Sequence, residues 1–326
     1  MLRGLLIYNP MAGRYPSELL AERAANVLRE FGWQIHLEKA QSPESITELA
    51  HQSAQEGYEA VFVVGGDGSL NLAVAGLVGT DTALGVLPAG TANVWAQELG
   101  LPGLTWTRWS ALEDSAKKLA RPQVFSTDVG WCSGHPFLLW AGAGLDAFIV
   151  HRIEPRGRLE KHFATVHYMA SAVWNASFWH GMNLQALVDG HPISGHFLLA
   201  VMSNIHLYAG GLAQLSPDAR VDDGVMDLWL FEGETLGDTV QVAWDLLAGR
   251  HTQSDHVTYY PFRQLELSSD SHMFVQLDGE PLDIDGPIQI EVQPRALKVL
   301  VPAHTPHTLF RHPPGRRWRG ALHPAA

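Results

Sequence analysis

Residues 60–71 read AVFVVGGDGSLN, an apolar run followed by a glycine-rich loop. The run 60–64 contains no polar residue, which is typical of a parallel strand buried on both faces. A glycine-rich loop at the end of such a strand lets phosphate oxygens approach backbone amides, and the next helix adds positive potential at its N-terminus. The alternative is a glycine-rich turn without a ligand. The loop comprises Gly65, Gly66, Asp67, Gly68 and Ser69.

Asp67 is the acidic residue of this loop. A carboxylate and a phosphate would repel each other, so Asp67 is expected to orient a magnesium ion or its waters rather than to contact phosphate directly.

Two other loops are expected at the same edge of the sheet. Residues 87–93 read LPAGTAN and follow the apolar strand 83–87, while residues 9–13 read NPMAG and follow the first strand. Thr91 is suited either to cap the next helix or to donate a hydrogen bond to a nucleotide. Loops that follow parallel strands face one crevice, so these loops support a common ligand site.

The first hundred residues alternate between strand and helix patterns. Apolar or alternating segments at 4–8, 34–38, 60–64 and 83–87 predict strands, and Ser17 and Ser42-Pro43 predict helix starts between them. This order predicts a doubly wound α/β nucleotide-binding domain over residues 1–122. The tail, residues 303–326, is expected to pack back on this domain.

The pattern changes after about residue 122. Short β-rich runs at 197–202, 226–231, 274–277 and 288–292 alternate with Asp-Gly turn signals, and a helix is expected at about 160–179. Residues 123–302 are therefore predicted to form a mostly antiparallel β-sandwich that binds the substrate.

Composition excludes several classes of protein. With 46% hydrophobic and 17% charged residues the chain is expected to be globular rather than disordered. A net charge of -12 argues against nucleic-acid binding. The single cysteine permits no intrachain disulfide, and the apolar stretches are too short for a signal peptide or a membrane span. A cytoplasmic protein that is peripheral to the membrane is expected.

Four motifs together resemble those of the diacylglycerol kinase catalytic-domain family, which includes bacterial lipid kinases and the sphingosine kinases. They are Asn9-Pro-x-x-Gly13, Gly65-Gly-Asp-Gly-Ser-Leu-Asn71, Leu87-Pro-Ala-Gly-Thr-Ala-Asn93 and Leu277-Asp-Gly-Glu280. The resemblance covers roughly residues 3–302. It implies an active site between the two domains, with ATP bound at Asn9, Gly13, Gly65, Gly66, Asp67, Gly68, Ser69, Asn71 and Thr91.

The resemblance also implies that Asp278 is the catalytic base. A lipid hydroxyl is a poor nucleophile at neutral pH, so a carboxylate within hydrogen-bond reach should accept its proton during attack on the γ-phosphate. Glu280 is expected to bind magnesium or the nucleotide side of the site. The competing interpretation is an ordinary Asp-Gly hairpin turn.

Residues 217–225, PDARVDDGV, resemble the segment of this family that holds a structural magnesium ion. By position, Asp223 would supply its side chain, and Arg220 and Val225 would supply backbone carbonyls. Hard oxygen ligands suit magnesium, but an Asp-Gly hairpin fits the same residues.

The sequence thus predicts an ATP- and Mg²⁺-dependent lipid kinase with a diacylglycerol-like or sphingoid substrate. The expected partners are this lipid, a membrane surface touched transiently and, in a homodimer, a second copy of the chain. The alternatives are an NAD kinase-like enzyme and a non-catalytic regulator that binds lipid or nucleotide on the same fold.

Overall fold

The computed structural model describes residues 2–10, 17–105, 108–153 and 179–317. The chain divides into two compact units. The first contains residues 1–127 and 295–326, and the second contains residues 128–294.

The first unit is built on a parallel sheet in the order β2-β1-β3-β4. Its strands are β1 (Leu2–Tyr8), β2 (Trp33–Lys39), β3 (Ala60–Gly65) and β4 (Ala83–Pro88). Every residue of β3 and β4 is buried, as the apolar pattern of a central parallel strand predicts. The sheet is extended by the last part of a long strand, whose Val299 lies parallel to Leu84.

Helices connect these strands. They are α1 (Ser17–Glu30), α2 (Pro43–Gln55), α3 (Asp67–Leu77), α4 (Val94–Glu98) and α5 (Ala111–Leu119). The start of α2 is fixed by a capping box, in which the Ser42 hydroxyl accepts from the Ser45 N–H and the Ser45 hydroxyl accepts from the Ser42 N–H. The alternation of strand and helix confirms the predicted α/β class of this region.

The second unit is a mostly antiparallel β structure, as predicted. Its strands include β6 (His135–Phe137), β7 (Trp140–Gly144), β8 (Met182–Val188), β9 (His191–Ser203), β10 (Leu207–Tyr208), β11 (Ala213–Gln214), β12 (Met226–Glu232), β13 (Val257–Phe262), β14 (Gln264–Ser269), β15 (Val275–Leu277) and β16 (Glu280–Leu282). Strands β16, β15, β7, β9, β8 and β14 are neighbours in that order, and each of these pairs is antiparallel.

Two strands contribute residues to both units. They are β5 (Gln123–Cys132) and β17 (Ile288–Val301). The division between units therefore falls at 127/128 and 294/295, whereas the sequence suggested 122/123 and 302/303. The pairing of Val299 with Leu84 explains why residues 295–301 belong to the first unit.

Residues 303–317 also belong to the first unit. The Phe310 ring stacks on Phe125 with the ring centres 4.0 Å apart, and the Thr305 hydroxyl donates to the Leu99 carbonyl. The short strand β18 (Arg316–Arg317) pairs with the start of β5.

Among its described residues, the second unit contains two α-helices that the sequence did not predict, α6 (Leu145–Ile153) and α7 (Leu236–Leu247). Four large apolar residues recur at helical spacing in α7, and all of them face solvent: Leu236, Val240, Trp244 and Leu247. Its capping box of Thr235 and Asp238 was the available signal. The helix expected at 160–179 lies almost entirely outside the described residues. No helix in the described part of the chain is long and apolar enough to cross a membrane.

Candidate functional site

The predicted phosphate loop joins β3 directly to α3. Gly66 is the N-cap of α3 and has an extended backbone, and its carbonyl accepts from the Leu70 N–H at 3.0 Å. No side chain in the described ranges of the chain caps this helix. A Cβ on Gly65 would lie 2.7 Å from Cβ of Ser69, so the first turn of the helix folds closely over the strand end. No capping side chain of a described residue therefore occupies the N-terminal amides of α3.

The loop 88–93 lies against this glycine loop. A Cβ on Gly66 would be 3.2 Å from Cα of Gly90, and a Cβ on Gly90 would clash with Gly66. Asn93 holds the second loop closed, since its carboxamide accepts from the Gly90 N–H at 2.8 Å and donates to the Gly90 carbonyl at 2.9 Å. Asn93 has a left-handed backbone, with φ 56 and ψ 50. The structure thus brings the two predicted loops together.

Asp67 connects the same two loops. Its carboxylate accepts from the N–H of Val94 at 2.9 Å and from the N–H of Trp95 at 3.3 Å, at the start of α4. Burial raises the pKa of Asp67, and these backbone hydrogen bonds oppose the rise. Each carboxylate oxygen accepts one of these bonds, so Asp67 holds the start of α4 in place.

The remaining predicted nucleotide residues have varied surroundings. Ser69 is buried, Gly68 and Asn9 are partly buried, and Thr91 is exposed. The Oδ1 atom of Asn71, in α3, is buried without a hydrogen-bond partner among the described residues. Gly13 lies outside the described residues.

In the second unit, Asp278 and Gly279 form the two-residue turn between β15 and β16. Both have positive φ, 50 for Asp278 and 86 for Gly279, and Leu277 pairs with Glu280 across the turn. These features define a type I′ hairpin turn, for which Asp-Gly is a preferred sequence. The backbone of the motif is therefore an ordinary Asp-Gly hairpin turn, as the competing interpretation predicted.

The side chain of Asp278 is unlike that of an ordinary turn residue. Asp278 is 6% exposed. Its carboxylate accepts from the backbone N–H groups of Leu138 at 2.9 Å, Leu139 at 2.8 Å and Trp140 at 3.0 Å. Its own N–H donates to the Trp140 carbonyl at 2.9 Å. These bonds fix the carboxylate and stabilise its negative charge. Glu280, at the start of β16, is exposed.

A second acidic residue, which has no role in the prediction from sequence, lies near this turn. Asp146, in the first turn of α6, accepts from the Tyr208 hydroxyl at 2.9 Å and from the Gln276 amide at 3.0 Å. Burial raises the pKa of Asp146 to about 6, against the effect of these hydrogen bonds. The acidic residue that follows the two glycines of segment 142–147 was the available signal for it.

The predicted metal segment forms a tight turn tied to Asp128. The Asp128 carboxylate accepts from the Gly224 N–H at 2.7 Å, and the Asp128 N–H donates to the Val221 carbonyl at 2.6 Å. Asp223 accepts from the Val225 N–H at 3.3 Å. The Arg220 side chain is exposed. Across the described ranges, no group of three or more His, Cys, Asp or Glu side chains is arranged to hold a metal ion.

Known proteins resemble this chain over nearly its whole length. Residues 3–130 match the model of the diacylglycerol kinase catalytic domain, and residues 140–301 match that of the YegS C-terminal NAD kinase beta sandwich-like domain. The diacylglycerol kinase of Bacillus subtilis (strain 168) is 27% identical over 285 residues, covering 86% of this chain and 90% of that protein. That of Mycobacterium tuberculosis (strain H37Rv) is 26% identical over 312 residues, covering 91% and 94%.

A solved structure shares the fold. It is a diacylglycerol kinase from Bacillus anthracis str. Sterne, with a TM-score of 0.69 and 18% identity, covering 93% of this chain and 98% of that chain. With the two family models and the curated relatives, this likeness accounts for both units. The chain therefore combines a diacylglycerol kinase catalytic domain at residues 3–130 with a YegS C-terminal NAD kinase beta sandwich-like domain at residues 140–301, and its curated relatives are named as lipid kinases.

Proposed function

We propose that this chain is a lipid kinase that transfers the γ-phosphate of ATP to a hydroxyl of a diacylglycerol-like or sphingoid lipid. The observation that carries the proposal is the Asp278 carboxylate, which is 6% exposed and held by three backbone N–H groups. A carboxylate buried in this way in a family of lipid kinases is suited to a chemical role rather than to solubility.

The glycine loops of the first unit are the proposed site of the ATP phosphates. The uncapped N-terminus of α3 offers backbone amides and positive potential to an anion. Gly65, Gly66 and Gly68 belong to this proposed set, and the missing side chains at Gly65, Gly66 and Gly90 let Ser69 and the two loops pack closely. Asn9, Gly13, Ser69, Asn71 and Thr91 complete the proposed set. Asn71 supports a polar ligand, because its buried Oδ1 lacks a donor among the described residues.

Asp67 has a supporting part in this proposal. Its carboxylate binds the backbone at the start of α4 and so holds the two loops together. We therefore propose that Asp67 maintains the shape of the nucleotide site.

Asp278 is the proposed general base. The lipid oxygen forms a bond to the γ-phosphorus, the bond from that phosphorus to the ADP oxygen breaks, and the hydroxyl proton passes to the Asp278 carboxylate. The backbone N–H groups of residues 138–140 hold the carboxylate in one orientation, which favours a reaction that depends on positioning.

Magnesium has two proposed places. With ATP, Mg²⁺ neutralises phosphate charge, and Glu280 is the exposed carboxylate proposed to bind it. At the turn 220–225, Asp223 would supply a carboxylate oxygen, and Arg220 and Val225 would supply carbonyl oxygens. Burial is the main cause of the raised pKa of Asp227, and the negative charge of Asp223 raises it further, which is consistent with a cation beside Asp223.

An NAD kinase-like activity is the second candidate. It is favoured by the match of residues 140–301 to a domain described as NAD kinase beta sandwich-like. The curated relatives, which carry diacylglycerol kinase names, favour the lipid as acceptor.

The decisive experiment measures transfer of labelled γ-phosphate to mixed micelles that contain diacylglycerol, phosphatidylglycerol or a sphingoid base, with NAD as a separate acceptor. Wild type is compared with Asp278→Asn. We expect wild type to label a lipid and Asp278→Asn to lose about 100-fold or more of that activity while it still binds ATP. Labelling of NAD alone would establish the second candidate, and transfer to no acceptor would favour a regulator.

Asp189→Asn is the matched control. Asp189 and Gly190 form an Asp-Gly turn of the same type, with φ 47 and 84, and the Asp189 carboxylate accepts from the N–H groups of Arg263 and Gln264. Asp189 is exposed, so its substitution should leave phosphate transfer unchanged. An equal loss in both variants would contradict the assignment of Asp278 as base.

The proposal includes transient contact with a membrane surface, because a diacylglycerol-like substrate resides in the bilayer. Sedimentation with vesicles should therefore increase when diacylglycerol is added to them.

A further inference from the structure

A chain of buried hydrogen bonds leads from Asp146 to the turn that carries Asp278. The Asp146 carboxylate accepts from the Gln276 side-chain amide at 3.0 Å. The carbonyl oxygen of the same Gln276 side chain accepts from the Gly279 N–H at 2.8 Å. Gln276 is 1% exposed, so both bonds are shielded from water. Gly279 directly follows Asp278, so this series of hydrogen bonds extends to the backbone of the turn.

The strand pairing explains why these side chains meet. Strand β15 pairs with β7, and Gln276 lies opposite Gly142. A Cβ on Gly142 would clash with the Asp146 carboxylate and would lie 2.5 Å from the Gln276 side-chain nitrogen. The lack of a side chain at residue 142 thus provides the space in which Asp146 and Gln276 make contact.

The direction of the Gln276 carboxamide is set by its two partners. An ionised carboxylate only accepts hydrogen bonds, and a backbone N–H only donates. Gln276 can satisfy both only with its NH₂ toward Asp146 and its oxygen toward Gly279. The Tyr208 hydroxyl donates to the same Asp146 oxygen at 2.9 Å, and the Ala147 N–H donates to the other oxygen at 2.7 Å. The carboxylate is therefore held as well as the carboxamide.

We propose that Asp146 and Gln276 are positioning residues that set the Asp278–Gly279 turn for phosphate transfer. This inference rests on the proposed function, in which Asp278 is the base. Neither residue needs to contact substrate, because the effect passes through the Gly279 N–H to the backbone of Asp278.

An exchange of the two side-chain types tests this role. Gln276→Glu places a carboxylate against Asp146, and the two repel. Asp146→Asn leaves one mismatched pair, because its NH₂ must face a donor at either Gln276 or Ala147. The double variant D146N/Q276E is complementary again: the Asn NH₂ donates to the Glu carboxylate, whose other oxygen still accepts from Gly279. Tyr208 can then act as the acceptor, since a hydroxyl has both functions.

We expect each single variant to lower kcat for lipid phosphorylation by about 10- to 100-fold, with KM for ATP changed by less than about twofold. The double variant should recover kcat to within about threefold of wild type. If Asp146 and Gln276 acted only on stability, the single variants would instead lose thermal stability without a selective loss of kcat. Additive losses in the double variant would overturn the proposal.

Hydrogen exchange of the turn gives a readout that does not depend on activity. In a peptide that spans residues 274–283, exchange should become faster in each single variant and return toward the wild-type rate in the double variant. A peptide that spans the Asp189–Gly190 turn is the internal reference and should exchange at the wild-type rate throughout. Unchanged exchange of 274–283 in both single variants would overturn the positioning role. If wild type phosphorylates no lipid, the proposed function fails, and the exchange data still decide whether Asp146 and Gln276 hold the turn.

Discussion

Gly66 and Gly90 lie in backbone contact, so that a Cβ on Gly66 would be only 3.2 Å from Cα of Gly90. This contact joins the turn after β3 to the turn after β4, two neighbouring parallel strands. The two proposed phosphate-binding loops are therefore one structural unit rather than two independent motifs.

Gly90→Ala should separate these loops. The new Cβ would clash with the backbone of Gly66, and overpacking of this kind costs about 1–3 kcal/mol. We expect a lower free energy of unfolding and weaker ATP binding, measured by chemical denaturation and by calorimetric titration. Gly103→Ala is the control, because its Cβ would meet only the Asn93 side-chain nitrogen at 3.6 Å. Wild-type ATP affinity in Gly90→Ala would show that close contact of the loops is not required.

Asp67→Asn should weaken ATP binding by a different route. One of the two N–H groups at the start of α4 loses its acceptor, which costs about 0.5–2 kcal/mol by analogy with helix caps. The comparison is Asp238→Asn, because one oxygen of Asp238 accepts from both the Glu234 and the Thr235 N–H, so that the Asn oxygen can keep both bonds. Asp238→Asn should therefore change neither stability nor ATP affinity greatly, whereas Asp67→Asn should lower stability and raise the dissociation constant of ATP. An unchanged constant would remove Asp67 from the nucleotide site.

Asp146 should make stability depend on pH. Its pKa is raised from 3.8 to about 6, chiefly by burial, and Tyr208 is the titratable side chain that contacts it. The folded state binds this proton more strongly than the unfolded state does. The free energy of unfolding therefore falls as pH rises from the unfolded pKa of 3.8, and the loss is complete above the folded pKa of about 6. Relative to wild type, Asp146→Asn should therefore gain about 1 kcal/mol between about pH 5 and about pH 7.5. Urea unfolding at both pH values measures this difference, and a constant difference would mean an unshifted pKa.

Magnesium should stabilise the wild-type protein if the turn 220–225 binds it. A cation that binds only the folded state raises Tm as its concentration increases. Asp223→Asn should abolish this rise, whereas Asp218→Asn removes a nearby charge at an exposed position and should retain it. Melting curves in EDTA and in millimolar MgCl₂ provide the test. A Tm increase that persists in Asp223→Asn would place the cation elsewhere.

The sequence by itself determined the local elements of the first unit. The apolar run 60–64, the glycines after it and the serine before Pro43 each act within a few residues, and all three match observed strand, loop and helix starts. Short-range patterns also identified Asp278–Gly279 as a turn, since two consecutive positive φ values favour Asp-Gly. The exposed apolar face of α7 was not predictable in this way, because periodicity assumes that apolar residues point to the core.

Only the tertiary structure decided what the acidic side chains do. Asp67 contacts amides 27 and 28 residues away, Asp278 contacts amides about 140 residues away, and Asp146 contacts an amide 130 residues away. These bonds depend on which strands become neighbours and on the space that Gly90 and Gly142 leave between them. A hydrogen bond requires two groups to meet within about 3 Å, and strand order and register, rather than local propensity, bring them to that distance.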